Sequence, residues 1–398
     1  MAEAGVAPQP AGRMRLRLGV LVAALLVAGC QTIVPRGDKP PTQGPDRPPQ
    51  VDTPITPGLP DDQERHRIAL LVPMTGANAA VGQSIANAAN LAVLDTGGQR
   101  IRITTYDTAL GAAAAAQKAV AEGNRVILGP LLSEDVAAVA PISRRANVPL
   151  LSFSNDSTVA GNGVYLLGYS PAQAIERVVG HARSRGVTSF AGLMPNGVYG
   201  QRASTAFIRA VEGAGGRVVG MQNYDRSQRS IAAAVTRLGQ TSSYDALLIA
   251  DSGGVALQAA PLVRKGSGPA ARFLGTELWN TEPSLATNPA LRGAWFASVS
   301  NGLYNQLAAK YRARYGKAPY RLSSLGYDAV LLVTRVARDW KPGTAFPARA
   351  LADQGGFSGI DGAFRFGRDG IAERSLEVQQ IDAGKFTTVS AAPARFAE

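Results

Sequence analysis

Short apolar runs alternate with stretches of helical periodicity from residue 67 onward. The runs Ile68–Val72, Ile101–Tyr106, Val126–Leu128 and Pro149–Ser152 predict strands. Helical patterns lie between them near Ser84–Leu94, Ala112–Ala121 and Glu134–Ala146. In the first of these Ile85, Ala88, Ala89 and Ala92 recur at helical spacing, which makes one apolar face. A second set of strands is predicted at Phe190–Leu193, Val218–Met221, Ala246–Ile249 and Phe273–Leu274. Helices around Gln201–Ala214, Ile231–Leu238 and Val255–Val263 separate them. This spacing is that of βαβ units, whose right-handed crossovers build parallel sheets covered by helices on both faces. The fold class predicted is α/β, with two doubly wound lobes of similar design. A single larger sheet would give the same periodicity.

The N-terminal pattern is different. Arg13, Arg15 and Arg17 precede an uninterrupted apolar run, Leu18 to Gly29, followed by Cys30. A positive segment, a dozen apolar residues and small residues at the end describe a secretory signal peptide. The run is shorter than the roughly 20 residues a membrane-spanning helix needs. Val27-Ala28-Gly29-Cys30 resembles the lipobox of bacterial lipoproteins, which makes residues 1–30 an export signal and Cys30 the expected lipidation site. The start is Met1 or Met14, since residues 1–13 add nothing that a signal peptide needs. Residues 31–63 hold nine prolines and almost no large apolar side chains, so they read as a disordered linker.

Composition narrows the chemistry. The chain has 398 residues, one cysteine and two histidines, His66 and His181, too far apart in sequence to suggest a cluster. That excludes an internal disulfide and argues against a cysteine- or histidine-based metal site. No Ser/His/Asp or Cys/His set is suggested by order or context, so no enzyme is expected. Gly161-Asn162-Gly163 lacks the third glycine and the strand-to-helix setting of a dinucleotide loop, and no cofactor is implied. The net charge of +12 falls on residues 64–398, because the signal carries +2 and the linker −2. Of the 41 basic residues 34 are Arg, scattered without interleaved aromatics. No nucleic-acid partner is expected of such an exported chain; anionic lipid or cell-wall material suits the charge better.

In doubly wound sheets, ligands sit beyond the carboxyl ends of the strands. The loops there are small and polar: Pro73-Met74-Thr75-Gly76, Gly129-Pro130-Leu131-Leu132-Ser133, Ser152-Phe153-Ser154-Asn155-Asp156 and Gly275-Thr276-Glu277. Free backbone N–H groups and hydroxyls at helix starts favour an anion such as a carboxylate. Turns favour these residues too, and it is the recurrence after successive strands that points to a cleft.

These segments carry a family resemblance. Ala69-Leu70-Leu71-Val72-Pro73-Met74-Thr75-Gly76, Val126-Ile127-Leu128-Gly129-Pro130-Leu131-Leu132-Ser133 and Asn147-Val148-Pro149-Leu150-Leu151-Ser152 are followed in order by Tyr199-Gly200-Gln201, Phe273-Leu274-Gly275-Thr276-Glu277 and Gly326-Tyr327-Asp328-Ala329-Val330. Over about residues 66–390 the chain resembles the type I periplasmic binding proteins of the leucine/isoleucine/valine branch. The resemblance implies two Rossmann-like lobes joined by a three-strand hinge: lobe A over 66–169 plus 299–360, and lobe B over 170–298 plus 361–390. Trp279 and the run Gly356-Phe357-Ser358-Gly359-Ile360-Asp361-Gly362-Ala363-Phe364-Arg365-Phe366 look like the penicillin-binding protein activator lipoproteins, which stimulate peptidoglycan synthases.

The resemblance also implies roles. Ser133 aligns with a serine that takes a ligand carboxylate and Ser154 with a backbone contact to it; Ser152 and Asn155 flank the same loop. Glu277 matches the acidic residue that holds a ligand ammonium, and Tyr199 and Trp279 would offer aromatic surface. Asp156 departs from the family, standing where a carboxylate-binding threonine is usual. Ala79-Ala80 replaces an aromatic lid. Each residue has a plainer reading as well: the serines as helix caps, Glu277 as a surface charge, Tyr199 and Trp279 as packing, His181 as an ordinary helix-surface residue. The expected function is binding of a small amino-acid-like ligand between the lobes, with an ABC permease as partner, or else docking on a peptidoglycan synthase. The expected location is the periplasm, with a lipid anchor in the outer membrane because Gln31 is not an aspartate.

Overall fold

Strand β1 (His66–Val72) has alternate residues in two separate cores, which is what a sheet covered on both faces requires. Ile68, Leu70 and Val72 point to one side and Ala69 and Leu71 to the other. The computed structural model describes residues 65–393 except 242, together with 396. The export signal, Cys30, the proline-rich linker and the choice of start codon lie outside the described residues.

The first sheet has strand order β2-β1-β3-β4-β5, with every pair parallel. Its other strands are β2 (Ile101–Asp107), β3 (Val126–Leu128), β4 (Leu150–Ser152) and β5 (Val164–Leu166). Helix α1 (Ala79–Asp95) covers one face, and α2 (Ala112–Ala121) and α3 (Ser133–Arg145) cover the other. Ile85, Ala88, Ala89 and Ala92 are fully buried, as their spacing predicts.

The second sheet repeats this plan. Strands β6 (Ser189–Pro195), β7 (Arg217–Tyr224), β8 (Ala246–Ile249), β9 (Arg272–Gly275) and β10 (Trp295–Ser298) are parallel to one another. Helices α4 (Pro171–Ser184) and α5 (Val198–Gly213) lie on one face, with α6 (Gln228–Leu238) and α7 (Gly253–Lys265) on the other. Two strands from the C-terminal region, β14 (Glu377–Asp382) and β15 (Lys385–Ser390), extend this sheet antiparallel, giving the order β15-β14-β10-β9-β8-β6-β7. There are thus two sheets, not one larger one. All eight strands expected from periodicity are present.

After β10 the chain returns to the first lobe as α8 (Gly302–Tyr315) and α9 (Ser323–Val336), where Leu307, Tyr311, Leu325 and Val330 join the core of Ile68 and Leu70. Gly326 lets α9 press on α1, since a Cβ there would lie 2.6 Å from the Ile85 carbonyl oxygen. A small antiparallel sheet follows: β11 (Phe357–Gly359), β12 (Gly362–Phe366) and β13 (Ala372–Arg374). Phe357, Phe364, Phe366 and Ala372 are buried in the first lobe's core. This corrects the expected division at 360/361. Residues 359–362 close a hairpin, with Gly362 at φ +86°, and the chain leaves for the second lobe only after Arg374.

The three crossings, near 167–170, 299–301 and 375–376, are braced by buried polar groups. Arg374 donates to the Leu167 carbonyl at 2.7 Å, tying the third crossing to the first. Arg321 donates to Asp361 at 2.6 Å while Tyr169 donates to the same carboxylate. The Arg321 guanidinium lies 4.1 Å over the Tyr304 ring. Burial works against ionisation of Asp361, but Arg321 outweighs it and holds the carboxyl below the usual range. Burial and the Asp361 charge push neighbouring Asp328 the other way. At the second crossing the side chains of Asn280 and Asn301 exchange hydrogen bonds of 2.6 and 3.0 Å.

In each lobe the helix that follows the first strand starts against the carbonyl of a proline at that strand's end. A Cβ on Gly82 would lie 1.8 Å from the Pro73 oxygen, and one on Gly200 would lie 1.6 Å from the Pro195 oxygen. A helix Gly→Ala change elsewhere gains up to about 1 kcal/mol. Gly200→Ala should instead cost roughly 3 kcal/mol, because the clash is with backbone and α5 must shift as a unit. Chemical denaturation measures this; a loss smaller than about 0.5 kcal/mol would contradict the packing described.

Candidate functional site

The carboxyl ends of β4, β6, β8 and β9 bring together most of the chemistry-bearing side chains. In the first lobe the loop after β4 is organised by its own hydroxyls. Ser152, fully buried, donates to the Pro130 carbonyl at 2.9 Å and accepts the Ser154 N–H at 3.0 Å. Ser154, also buried, accepts the Asp156 N–H at 3.2 Å. Ser152 is therefore a loop-shaping residue closed off from any cleft. Asn155 is exposed at the loop's crest, and Ser133 is the half-buried first residue of α3.

Asp156 resolves the departure noted in the sequence. Its carboxylate accepts from the Thr158 N–H at 2.9 Å and hydroxyl at 2.6 Å, and it pairs with Arg202 of α5 at 2.5 Å. Burial alone would raise this carboxyl, but Thr158 and Arg202 more than offset it and hold it low. The pair joins the β4 loop of one lobe to the first turns of a helix in the other. Arg202 follows Tyr199 by three residues, so both lie on neighbouring turns of one helix face. Sequence reasoning missed Arg202; the spacing from Tyr199 was the signal available.

In the second lobe Tyr199 lies against the β9 loop. Its hydroxyl is 3.2 Å from the Thr276 hydroxyl and donates to Glu277 Oε1 at 3.3 Å. Burial, with the Glu277 charge second, pushes this phenol well above its ordinary value. Glu277 is the unusual group. Its residue as a whole is half-buried, yet carboxyl oxygen Oε2 is enclosed and accepts no hydrogen bond among the described residues. Burial pushes the carboxyl up to about 7, although its own N–H, Tyr199 and Thr276 pull the other way. Beside it, at the end of β8, Asp251 accepts from Tyr224 at 3.0 Å and from Arg226 at 3.0 and 3.1 Å. This acid was not singled out from sequence; its place directly after a strand end was the clue.

Trp279 does not belong to the site. It is fully buried, packs where a Cβ on Gly275 would stand, and lies 6.2 Å from Phe296 between ring centroids. The expectation of a ligand contact is corrected, because the 277–281 turn folds the indole back into the core. His181 is corrected as well. It is buried edge-on against Trp295 at 4.8 Å, and burial lowers its pKa. His66 stacks on Trp340 at 3.7 Å and bonds its carbonyl at 3.0 Å. Among the described residues no group of three or more His, Cys, Asp or Glu could hold a metal ion, and no helix is long and apolar enough to cross a membrane.

Comparison with known proteins adds a family. A sequence profile described as periplasmic binding protein matches residues 66–385. The fold is similar to that of a protein assigned as a branched-chain amino acid ABC transporter from Rhodospirillum rubrum, with a TM-score of 0.72 at 22% identity, covering 82% of this chain and 100% of that one. It is also similar to full-length LpoA from Haemophilus influenzae, with a TM-score of 0.63 at 19% identity, covering 82% of this chain and 59% of LpoA. A curated relative, the uncharacterised protein RP748 of Rickettsia prowazekii (strain Madrid E), is 26% identical over 145 residues, which are 36% of this chain and 39% of that protein.

The buried carboxyl of Glu277 makes a stability prediction. Its folded value of about 7 stands above the ordinary 4.5, so ionisation opposes folding. The penalty is absent below about pH 4.5, grows as pH rises toward 7 and is complete above it, where it is on the order of 3 kcal/mol. Glu277→Gln should therefore melt higher than the parent at pH 8 and near the parent at pH 4.5. A variant that is less stable at pH 8 would contradict the burial.

Proposed function

We propose that this chain, which belongs to the periplasmic binding protein family, is a non-catalytic envelope lipoprotein that closes its two lobes on a small amino-acid-like ligand. Glu277 is the observation that carries the reading. A buried carboxyl oxygen without a donor is costly unless a charged donor reaches it, and an ammonium group is the natural partner. Tyr199 holds the other oxygen, which fixes the direction from which that donor can approach. On the opposite lobe Ser133, the first residue of α3, supplies a hydroxyl for a carboxylate. Closure of the lobes would let a membrane partner, such as an ABC permease, distinguish loaded from empty protein.

A second reading has its own support. The Asp156–Arg202 pair links the lobes through the chain's own side chains, and Asp156 stands where the family usually holds a ligand carboxylate. A regulatory lipoprotein that docks on a peptidoglycan synthase, with its cleft closed on itself, would have use for such a pair. In both readings the anchor is lipidated Cys30 and the location is the periplasmic face of the outer membrane.

The first reading predicts a pH dependence of binding. At pH 6 most Glu277 is neutral and cannot pair with an ammonium; at pH 8 most is ionised. Affinity for a bound amino acid should therefore rise about tenfold from pH 6 to pH 8 in the parent protein and stay flat in Glu277→Gln. Calorimetry at the two pH values measures this, after a thermal-shift screen with an amino-acid panel; a ligand at 100 times its Kd adds about 2.7 kcal/mol of stability. No shift with any amino acid, together with capture of a peptidoglycan synthase from membranes, would replace the first reading with the second.

A further inference from the structure

A cavity of about 580 Å³ opens beside the Asp156–Arg202 pair, away from Tyr199 and Glu277. Its walls come from both lobes: Ser157 and Thr158 from the first, and Glu176 of α4 with Arg202, Thr205 and Arg209 of α5 from the second. Arg202 and Arg209 are seven residues apart, two helical turns, so both face the cavity about 10 Å from each other along the axis. Thr205 lies between them on the same face. Arg209 and Glu176 are exposed, and neither has an ion-pair partner among the described residues. Arg202 gives one N–H direction to Asp156 and keeps other guanidinium donors for a second acceptor.

We propose that this cavity is a second binding site, which takes an acidic short peptide. Two cationic side chains at this separation match a pair of carboxylates, one terminal and one on a side chain. Glu176 matches the peptide's ammonium, and the hydroxyls of Ser157, Thr158 and Thr205 match its amide groups. The volume lies within the roughly 300–1,000 Å³ of ordinary ligand pockets and exceeds what a single small amino acid fills. Because the walls belong to both lobes, an occupant adds its own contacts to the Asp156–Arg202 link and holds the lobes together. The site uses neither Glu277 nor Tyr199, although Asn155 of the β4 loop also lines it.

The probe is the dipeptide Ala-Glu, titrated calorimetrically into the full chain in mild detergent. Saturable binding is expected. Arg209→Ala should weaken it by about tenfold, the loss of one charge-assisted contact, while Glu277→Gln leaves it unchanged. N-acetyl-Ala-Glu, without the ammonium, should bind the parent more weakly but bind Glu176→Gln and the parent alike. The proposal is overturned if no saturation appears up to about 10 mM. It is overturned equally if Arg209→Ala, folded by its melting curve, binds as the parent does. Loss of binding in Glu277→Gln would place the dipeptide in the central cleft and overturn the second site while supporting the first.

Discussion

The placement of the two lobes depends on charge buried where the chain crosses between them. Arg321 and Asp361 form an ion pair with the carboxylate fully enclosed, and Tyr169 in the first crossing completes its hydrogen bonding. Arg374, just before the third crossing, reaches the Leu167 carbonyl in the first and lies 3.8 Å from Asp328. Removing one partner of such a pair leaves an uncompensated buried charge, which costs about 3–5 kcal/mol. Apolar packing of similar volume could be as stable, but it would not specify direction. The hydrogen bonds from Arg374 to the first crossing and from Tyr169 to Asp361 do specify it, and so they help determine which loops of the two lobes meet.

What meets is asymmetric. The first lobe contributes a loop whose serines are spent on holding its own shape, ending in Asp156. The second contributes Tyr199, Arg202 and Glu277 from the ends of β6 and β9, which flank β8. Asp156 and Arg202 satisfy each other across the gap, whereas Glu277 is left with an enclosed oxygen and no donor. A lone carboxyl of this kind is stabilised by protonation or by a cationic partner. The first makes it a weak acid; the second makes it a receptor. The proposed function rests on this contrast, with Glu277 as the group that would meet an ammonium.

Much of the fold was legible because the sheets are covered on both faces. Strands such as Ile68–Val72 and Ala246–Ile249 then read as unbroken apolar runs, and helices show one apolar stripe. Short strands were harder. Val164–Leu166 and Phe357–Gly359 are three residues each, too brief for any period to register, and the hairpin that Phe357–Gly359 opens moved a lobe boundary. Trp279 shows the limit for single residues: its position after a strand end suggested a cleft, and only the turn over 277–281 sends the ring inward. Asp156 shows the reverse, where an apparent mismatch became intelligible once Arg202 was found opposite. Partners distant in sequence leave no periodic trace.

The central claim is that Glu277 is a buried, donor-seeking carboxyl that an ammonium ligand satisfies. Carboxyl-carbon NMR of Glu277 in the full chain, alone and with the amino acid that stabilises it most, tests this directly. The account predicts a midpoint near 7 in the free protein and a fall to below about 5 in the complex. A free-protein midpoint near 4.5, or one unmoved by the ligand, would contradict it.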